Sequence, residues 1–359
     1  LVSRLIQALG CGMMLSFAQI IILTIYPKEK HGTMMAAYSM AASISSMVGP
    51  TYAGLLMDSV GWRGVFVSLF AVGAALIVGG LIFMKNVTEK QEANINVGYV
   101  AISSLGFASL IMGLNNMKEG AFHLSSGGLM ILGIALLVVF SLLQLRSDKP
   151  MLNLRVFKSQ SFTVGVLITI CLYLIGMGNA VVLPILAKIH CGYSDTAYGL
   201  ATIVGALISV FATLFGGRIY DKVGIKPMAV VTILCFAVFT VFGIRATENS
   251  SIVWIGVIYA LQTIAMSALI SPVTTMSLSN LKNQLRVDGS AIFNTLRQIS
   301  SSIATTVAVL LLGIFGDDLH AMHCVYLYFG VVTVVITALV VFFVFRKNTE
   351  EDLTTVPSN

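Results

Sequence analysis

Charge is what this chain has least of. Of its 359 residues, 10% are Asp, Glu, Lys or Arg and 57% are hydrophobic, whereas an average soluble domain is about 25% charged. So few charges cannot cover the surface of a water-soluble body of this size, which excludes soluble enzymes and soluble nucleic-acid-binding domains. Acidic residues are scarcest where they would matter most. All fifteen lie at or beside the ends of apolar runs, and none is well inside one. The five cysteines and five histidines show no metal-ligand spacing. There is no nucleotide-binding loop and no Ser/His/Asp arrangement on a soluble scaffold, so no enzymatic activity, cofactor or metal is expected. Three cysteines (Cys11, Cys171, Cys235) sit in apolar runs as small hydrophobic residues, while Cys191 and Cys324 fall near one face, where pairing is left open.

What the chain does have is long apolar runs. Spans of the roughly 20 residues that a membrane helix needs read as 5–26, 33–57, 63–84, 97–117, 124–145, 162–189, 196–216, 226–245, 252–280, 289–315 and 323–345. The gaps are too short for extramembrane domains. Fifteen of the 21 basic residues fall in every second gap or in the tail, from Lys28 and Lys30 to Arg346 and Lys347. The alternate gaps hold only Arg63, Lys118 and Arg245, and Arg4, Lys188 and Arg297 lie in or beside helices. By the positive-inside rule the basic set is cytoplasmic, and with it the C-terminus. The net charge of +6 then reflects topology and anionic membrane lipid, with no need of a nucleic-acid partner.

The chain opens on Leu1 inside an apolar run, and an odd number of spans predicts helices upstream. The stretch 85–96 reads as a polar cytoplasmic linker. In 146–161 basic residues alternate with Leu152, Leu154, Val156 and Phe157, as in a segment lying at headgroup level. The expected units are 1–84, 85–161 (linker, an extra helix pair and the interfacial segment), 162–345, and a disordered tail 346–359.

Three motifs carry mechanism. The gap after the seventh span reads Gly217-Arg218-x-x-Asp221-x-x-Gly224-x-Lys226. Gly217 would let a helix end approach a neighbour, and Gly224 would permit the reversing turn. Asp221 could accept from backbone N–H groups at an adjacent helix N-terminus, with Arg218 paired to it. The second span carries Ser45-x-x-x-Gly49-Pro50-x-x-Ala53-Gly54, a face of small residues bent at proline. The first span reads Arg4-x-x-Gln7-Ala8-x-Gly10, and a cation inside a span costs about 2.5–3.5 kcal/mol on insertion scales.

On these residues the chain resembles the major facilitator superfamily. The 217–226 pattern is similar to the family's loop signature, 45–54 to the antiporter motif of its fifth helix with Ser45 and Ala53 in place of glycine, and 4–10 to its fourth-helix motif with Ala8 in place of glycine. The resemblance implies an all-α polytopic membrane fold with eleven spans here of fourteen in the intact protein, in the manner of the fourteen-span drug:proton antiporter branch. It further implies that Arg4 assists proton coupling, that 45–54 seals the path between two lobes, and that 217–226 forms a cytoplasmic latch. Export of lipophilic or cationic compounds by proton antiport across an inner membrane is the implied function. An adaptor protein is left open, and the coupling carboxylate is expected on upstream helices. A metabolite uniporter or symporter and a non-transporting receptor or scaffold are the alternatives. Gln7, Tyr173, Asn179, Gln262, Asn294, Arg297 and Gln298 are candidate cavity residues, with Arg297 either lining the cavity or snorkelling to water.

Overall fold

A computed structural model describes residues 2–83, 96–117, 124–147, 150–315 and 319–345. Its eleven long helices are α1 (Val2–Ile25), α2 (His31–Ser59), α3 (Trp62–Phe83), α4 (Val97–Met117), α5 (Leu124–Arg146), α6 (Gln160–Ile185), α7 (Asp195–Val223), α8 (Lys226–Ile244), α9 (Ile252–Ser279), α10 (Asn283–Phe315) and α11 (Leu319–Val340). No strand occurs among the described residues. Each expected span thus falls on a helix. Ten helices hold a stretch long and apolar enough to cross a membrane. The exception is α2, which at 29 residues has the length but carries Ser39, Ser43, Ser45, Ser46 and Thr51 among its apolar residues. The linker 85–95 and the tail 346–359 lie outside the described residues, and all five cysteines are free.

Two helix boundaries depart from the hydropathy reading. α7 runs on to Val223, so most of the expected 217–226 loop is the last two turns of a helix. Only Gly224, at φ 84°, breaks it, its N–H returning to the Tyr220 carbonyl. α10 begins at Asn283, six residues before the expected start, because its first turns are polar and invisible to hydropathy. Elsewhere the ends are marked as chemistry demands: Ser194 and Ser251 accept from Ala197 N and Trp254 N at the starts of α7 and α9.

α6 to α11 pack around one core of Leu172, Ile175, Phe236, Phe239, Ile258, Tyr326 and Phe329, all 0% exposed. Edge-to-face contacts link Phe239 to Tyr326 at 5.6 Å and Tyr326 to Phe329 at 5.8 Å. α4 and α5 form a close pair, since a side chain at Gly133 would press on the backbone of Gly106 and Leu110. The pair leans on α10, where Thr306 Oγ1 donates to the Leu114 carbonyl at 3.2 Å. The expected interfacial segment is a short 3-10 helix, Leu154–Lys158, with Val156 buried at 0% exposure. Val156 joins a second core of Leu23, Met35, Phe162, Leu278, Leu281 and Phe293. That core ties α1 and α2 to α6, α9 and α10 at the end of the molecule that carries the basic gaps.

Candidate functional site

α2 starts without a cap of its own. Its N-cap position is Lys30, whose side chain makes no capping bond. The cap comes from α7 instead. Asp221 Oδ1 accepts from Gly32 N at 2.8 Å, and Oδ2 accepts from Thr33 N at 2.7 Å and from the Thr33 hydroxyl. A carboxylate at a helix N-terminus faces the positive end of the dipole, and capping bonds of this type contribute about 0.5–2 kcal/mol. The approach requires two glycines. A Cβ on Gly32 would collide with Asp221, Tyr220 and the Gly217 carbonyl, and one on Gly217 would meet Ala36 and the Gly32 carbonyl.

Arg218 does not take the expected place beside Asp221. It is exposed and makes no ion pair with Asp221, whose two oxygens are already held by α2. Lys226 is the first residue of α8, one residue past the turn at Gly224 and Ile225. Beside this junction lies a cavity of about 750 Å³ lined in part by Lys28, Ser159, Gln160, Tyr220, Asp221 and Asn280.

A second seam runs between α1 and α10. Arg286 donates to the Leu23 carbonyl at 3.0 Å, and to Ser279 and Leu281 carbonyls at 3.2 and 3.3 Å. One guanidinium thus covers carbonyls near the ends of α1 and α9 that have no helical partner. Further along, Ser290 Oγ donates to Gln19 Oε1 at 2.8 Å, and Asn294 Nδ2 reaches Gln19 Oε1 at 3.2 Å and Ser16 Oγ at 3.4 Å. Asn294 Oδ1 is buried without a partner. The pairs Leu23/Arg286, Gln19/Ser290 and Ser16/Asn294 march in antiparallel register and then stop. At Gly12, the next seam position on α1, an added Cβ would meet nothing within 4 Å.

Beyond the stop stands Arg297, fourteen residues from the start of α10 and so about 21 Å along it. Its guanidinium lies 5.7 Å from the Tyr173 ring centroid, within the range of a cation–π contact. Tyr38 of α2 donates its hydroxyl to the Leu15 carbonyl of α1 at 3.4 Å. Tyr173 and Arg297 are half-buried and Gln298 is exposed on α10, as Gln7 is on α1.

Asn179 and Gln262 do not line an opening. They are 0% and 6% exposed and bond each other, Asn179 Nδ2 donating to Gln262 Oε1 at 2.6 Å. Tyr326 OH donates to Asn179 Oδ1 at 3.1 Å, and Gln262 Nε2 donates to the Gly176 carbonyl at 3.2 Å. Burial inside the α6–α11 bundle forced these amides to find one another. Of the small-residue motif, Ser45 is exposed and returns its hydroxyl to the Ala41 carbonyl at 2.9 Å. Gly49, Pro50, Ala53 and Gly54 fall within α2, and Arg4 within α1, but their side chains lie outside the described residues. Gly32, Thr33, Arg286, Ser290 and Tyr326 were not among the candidates. The glycine after the basic run KEKHG was the one local signal for the first of them.

An all-α membrane protein whose helix bundles meet through breakable polar seams at one end is the architecture of a secondary transporter. The family comparison agrees: a model of the Major Facilitator Superfamily matches residues 1–305 and 165–356. The chain belongs to the major facilitator superfamily. It is 33% identical over 312 residues to a protein described as an uncharacterized MFS-type transporter, YhcA of Bacillus subtilis (strain 168), covering 86% of this chain and 58% of that one. It is 31% identical over 313 residues to the lincomycin resistance protein LmrB of the same organism, covering 86% and 65%. With the multidrug export protein EmrB of Haemophilus influenzae (strain ATCC 51907 / DSM 11121 / KW20 / Rd) it shares 25% over 318 residues, covering 86% and 61%. The chain therefore spans less than two thirds of the length of these relatives.

Proposed function

We propose that this chain is the body of an exporter that moves lipophilic toxic compounds, cationic ones among them, out of the cell by alternating access in exchange for protons. The observation that carries this reading is the paired closure at the basic-gap end, Asp221 on α2 and Arg286 on α1, with the α1–α10 contact ending at Ser16 and Asn294. Hydrogen bonds across a seam can be exchanged for water as the two sides part, and the apolar core beside them is small against the one that holds α6–α11 together. In this reading α1–α3 belong to one lobe and α6–α11 form the other. The basic gaps face the cytoplasm, so the present conformation is closed inward. The similarity to resistance and export proteins supports the direction of transport.

Proton entry would supply about 2.3 kcal/mol per charge per 100 mV. No Asp or Glu among the residues whose side chains are described lies deeper than two turns from its helix end, so Arg4 is assigned an assisting role in coupling and the titrating carboxylate is not. The face from Ser45 to Gly54 is assigned to sealing the inter-lobe path. The test is Asp221→Asn in drug-loaded cells. Loss of efflux with normal membrane insertion is expected, because one oxygen of the cap becomes a donor facing donors. Undiminished efflux would remove the latch from the mechanism.

A further inference from the structure

We infer that the opening above the α1–α10 seam is a ligand site with Arg297, Tyr173 and Tyr38 as its floor, and that it takes a planar aromatic compound bearing an anionic group, a carboxylate above all. That such a compound is exported rests on the reading just given; that it binds does not.

The opening is set by the register of the seam. The hydrogen bonds between α1 and α10 end at Ser16 and Asn294, and an added Cβ at Gly12, the next seam position on α1, would face open space. Arg297 follows Asn294 by three residues and so shares its face of α10. Among the residues whose side chains are described, Arg297 is the one Asp, Glu, Lys or Arg more than two turns from both ends of its helix. It makes no ion pair and no hydrogen bond among the described residues.

Its chemistry then narrows the ligand. The Tyr173 ring covers the guanidinium at 5.7 Å, and Tyr38 of α2 lies against α1 next to Ser16, its hydroxyl donating to the Leu15 carbonyl at 3.4 Å. The planar edge with its paired N–H donors is left without a protein acceptor, and that edge matches a carboxylate in two parallel bonds. Phenol rings at Tyr173 and Tyr38 suit the site to an aromatic partner. A fixed cation would meet an unneutralised guanidinium in that place.

The experiment uses the full chain in phosphatidylcholine nanodiscs, which keep anionic headgroups away from the site. Equilibrium binding is measured for three compounds on one ring system: 2-naphthoate, 2-naphthamide and trimethyl(2-naphthyl)ammonium. Naphthoate is expected to bind at least ten-fold more tightly than the ammonium compound, with the amide between. Arg297→Gln should erase the preference, and Arg297→Lys should keep part of it, having charge without the fork. Equal or tighter binding of the ammonium compound to the unaltered chain overturns the proposal, and that comparison needs no variant to fold. So does a preference that persists in Arg297→Gln. Vesicle flux separates the two readings. Selective binding with no flux of any compound removes export and leaves the site, while export of all three without preference removes the site and leaves export.

Discussion

Asn179 and Gln262 meet inside the α6–α11 bundle, and Gln19 and Asn294 meet where α1 crosses α10. The chemistry is the same and the satisfaction is not. In the first pair the amides bond at 2.6 Å, and Tyr326 and the Gly176 carbonyl take up the remaining groups. In the second the amide bonds are 3.2 and 3.4 Å long, and Asn294 Oδ1 has no partner. A buried polar network is stabilising when complete and costly when partly satisfied. The complete one joins α6, α9 and α11 into a body that has no reason to come apart. The incomplete one sits across the boundary that the proposed alternating access would open, and its orphan carbonyl would lower the cost of opening it. Glycine draws the same contrast: a Cβ on Gly243 would strike the Tyr326 ring within the bundle, whereas one on Gly217 would strike the backbone of α2 across the seam.

The largest expected effect is therefore inside the bundle. Asn179→Leu leaves Gln262 Oε1 and the Tyr326 hydroxyl buried without their partner, at about 1–3 kcal/mol each. A clear fall in the melting temperature of the purified protein is expected, and an unchanged one would mean the network is not a weld. Next comes the seam. Gly217→Val overpacks the junction by about 1–3 kcal/mol and, at tenfold per 1.4 kcal/mol, should shift the population toward opening about tenfold or more. A cysteine placed at Met35, which is 1% exposed, should then react faster with a soluble thiol reagent while the melting temperature of the bundle holds. If both properties fall together, the seam and the bundle are one cooperative unit. Arg286→Gln should act in the same direction and more weakly, since an amide can serve one of the three carbonyls that the guanidinium reaches.

Eleven helices could be read from the sequence because a membrane imposes length and apolarity on every span, and both are local properties. The ends of α7 and α10 could not, because their last and first turns are polar and a hydropathy scan reads polar helix as loop. The two glycines, the aspartate and the turn of 217–226 were visible as spacing, and the N–H donors of a helix N-terminus were a foreseeable partner for Asp221. Which helix it caps was not foreseeable, because Gly32 and Asp221 are 189 residues apart and only the packing of α2 on α7 brings them together. Arg218 misled for the same reason: a basic residue three positions away looks like a partner until both oxygens are taken by another helix. Asn179 and Gln262 read as cavity residues since polarity in a span has two explanations, an opening or a mate, and the mate lay 83 residues away.

The smallest expected effect is at the incomplete network, and its sign is the sharpest test of the contrast. Asn294→Ala removes two long hydrogen bonds, to Ser16 and Gln19, which together contribute about 1 kcal/mol at most in a bilayer setting. It also removes the unpaired carbonyl, whose burial costs about 1–3 kcal/mol. Gln19 Oε1 keeps its 2.8 Å bond from Ser290, so no new orphan is created there. The two terms nearly cancel, and the closed seam should be unchanged or slightly firmer, read as equal or slower labelling of the cysteine at position 35. The parallel change in the bundle, Gln262→Ala, strands the Asn179 amide and should lower the melting temperature well beyond that. A seam that falls open on Asn294→Ala would mean that its few long bonds hold it shut, and that the unpaired carbonyl plays no part in easing it apart.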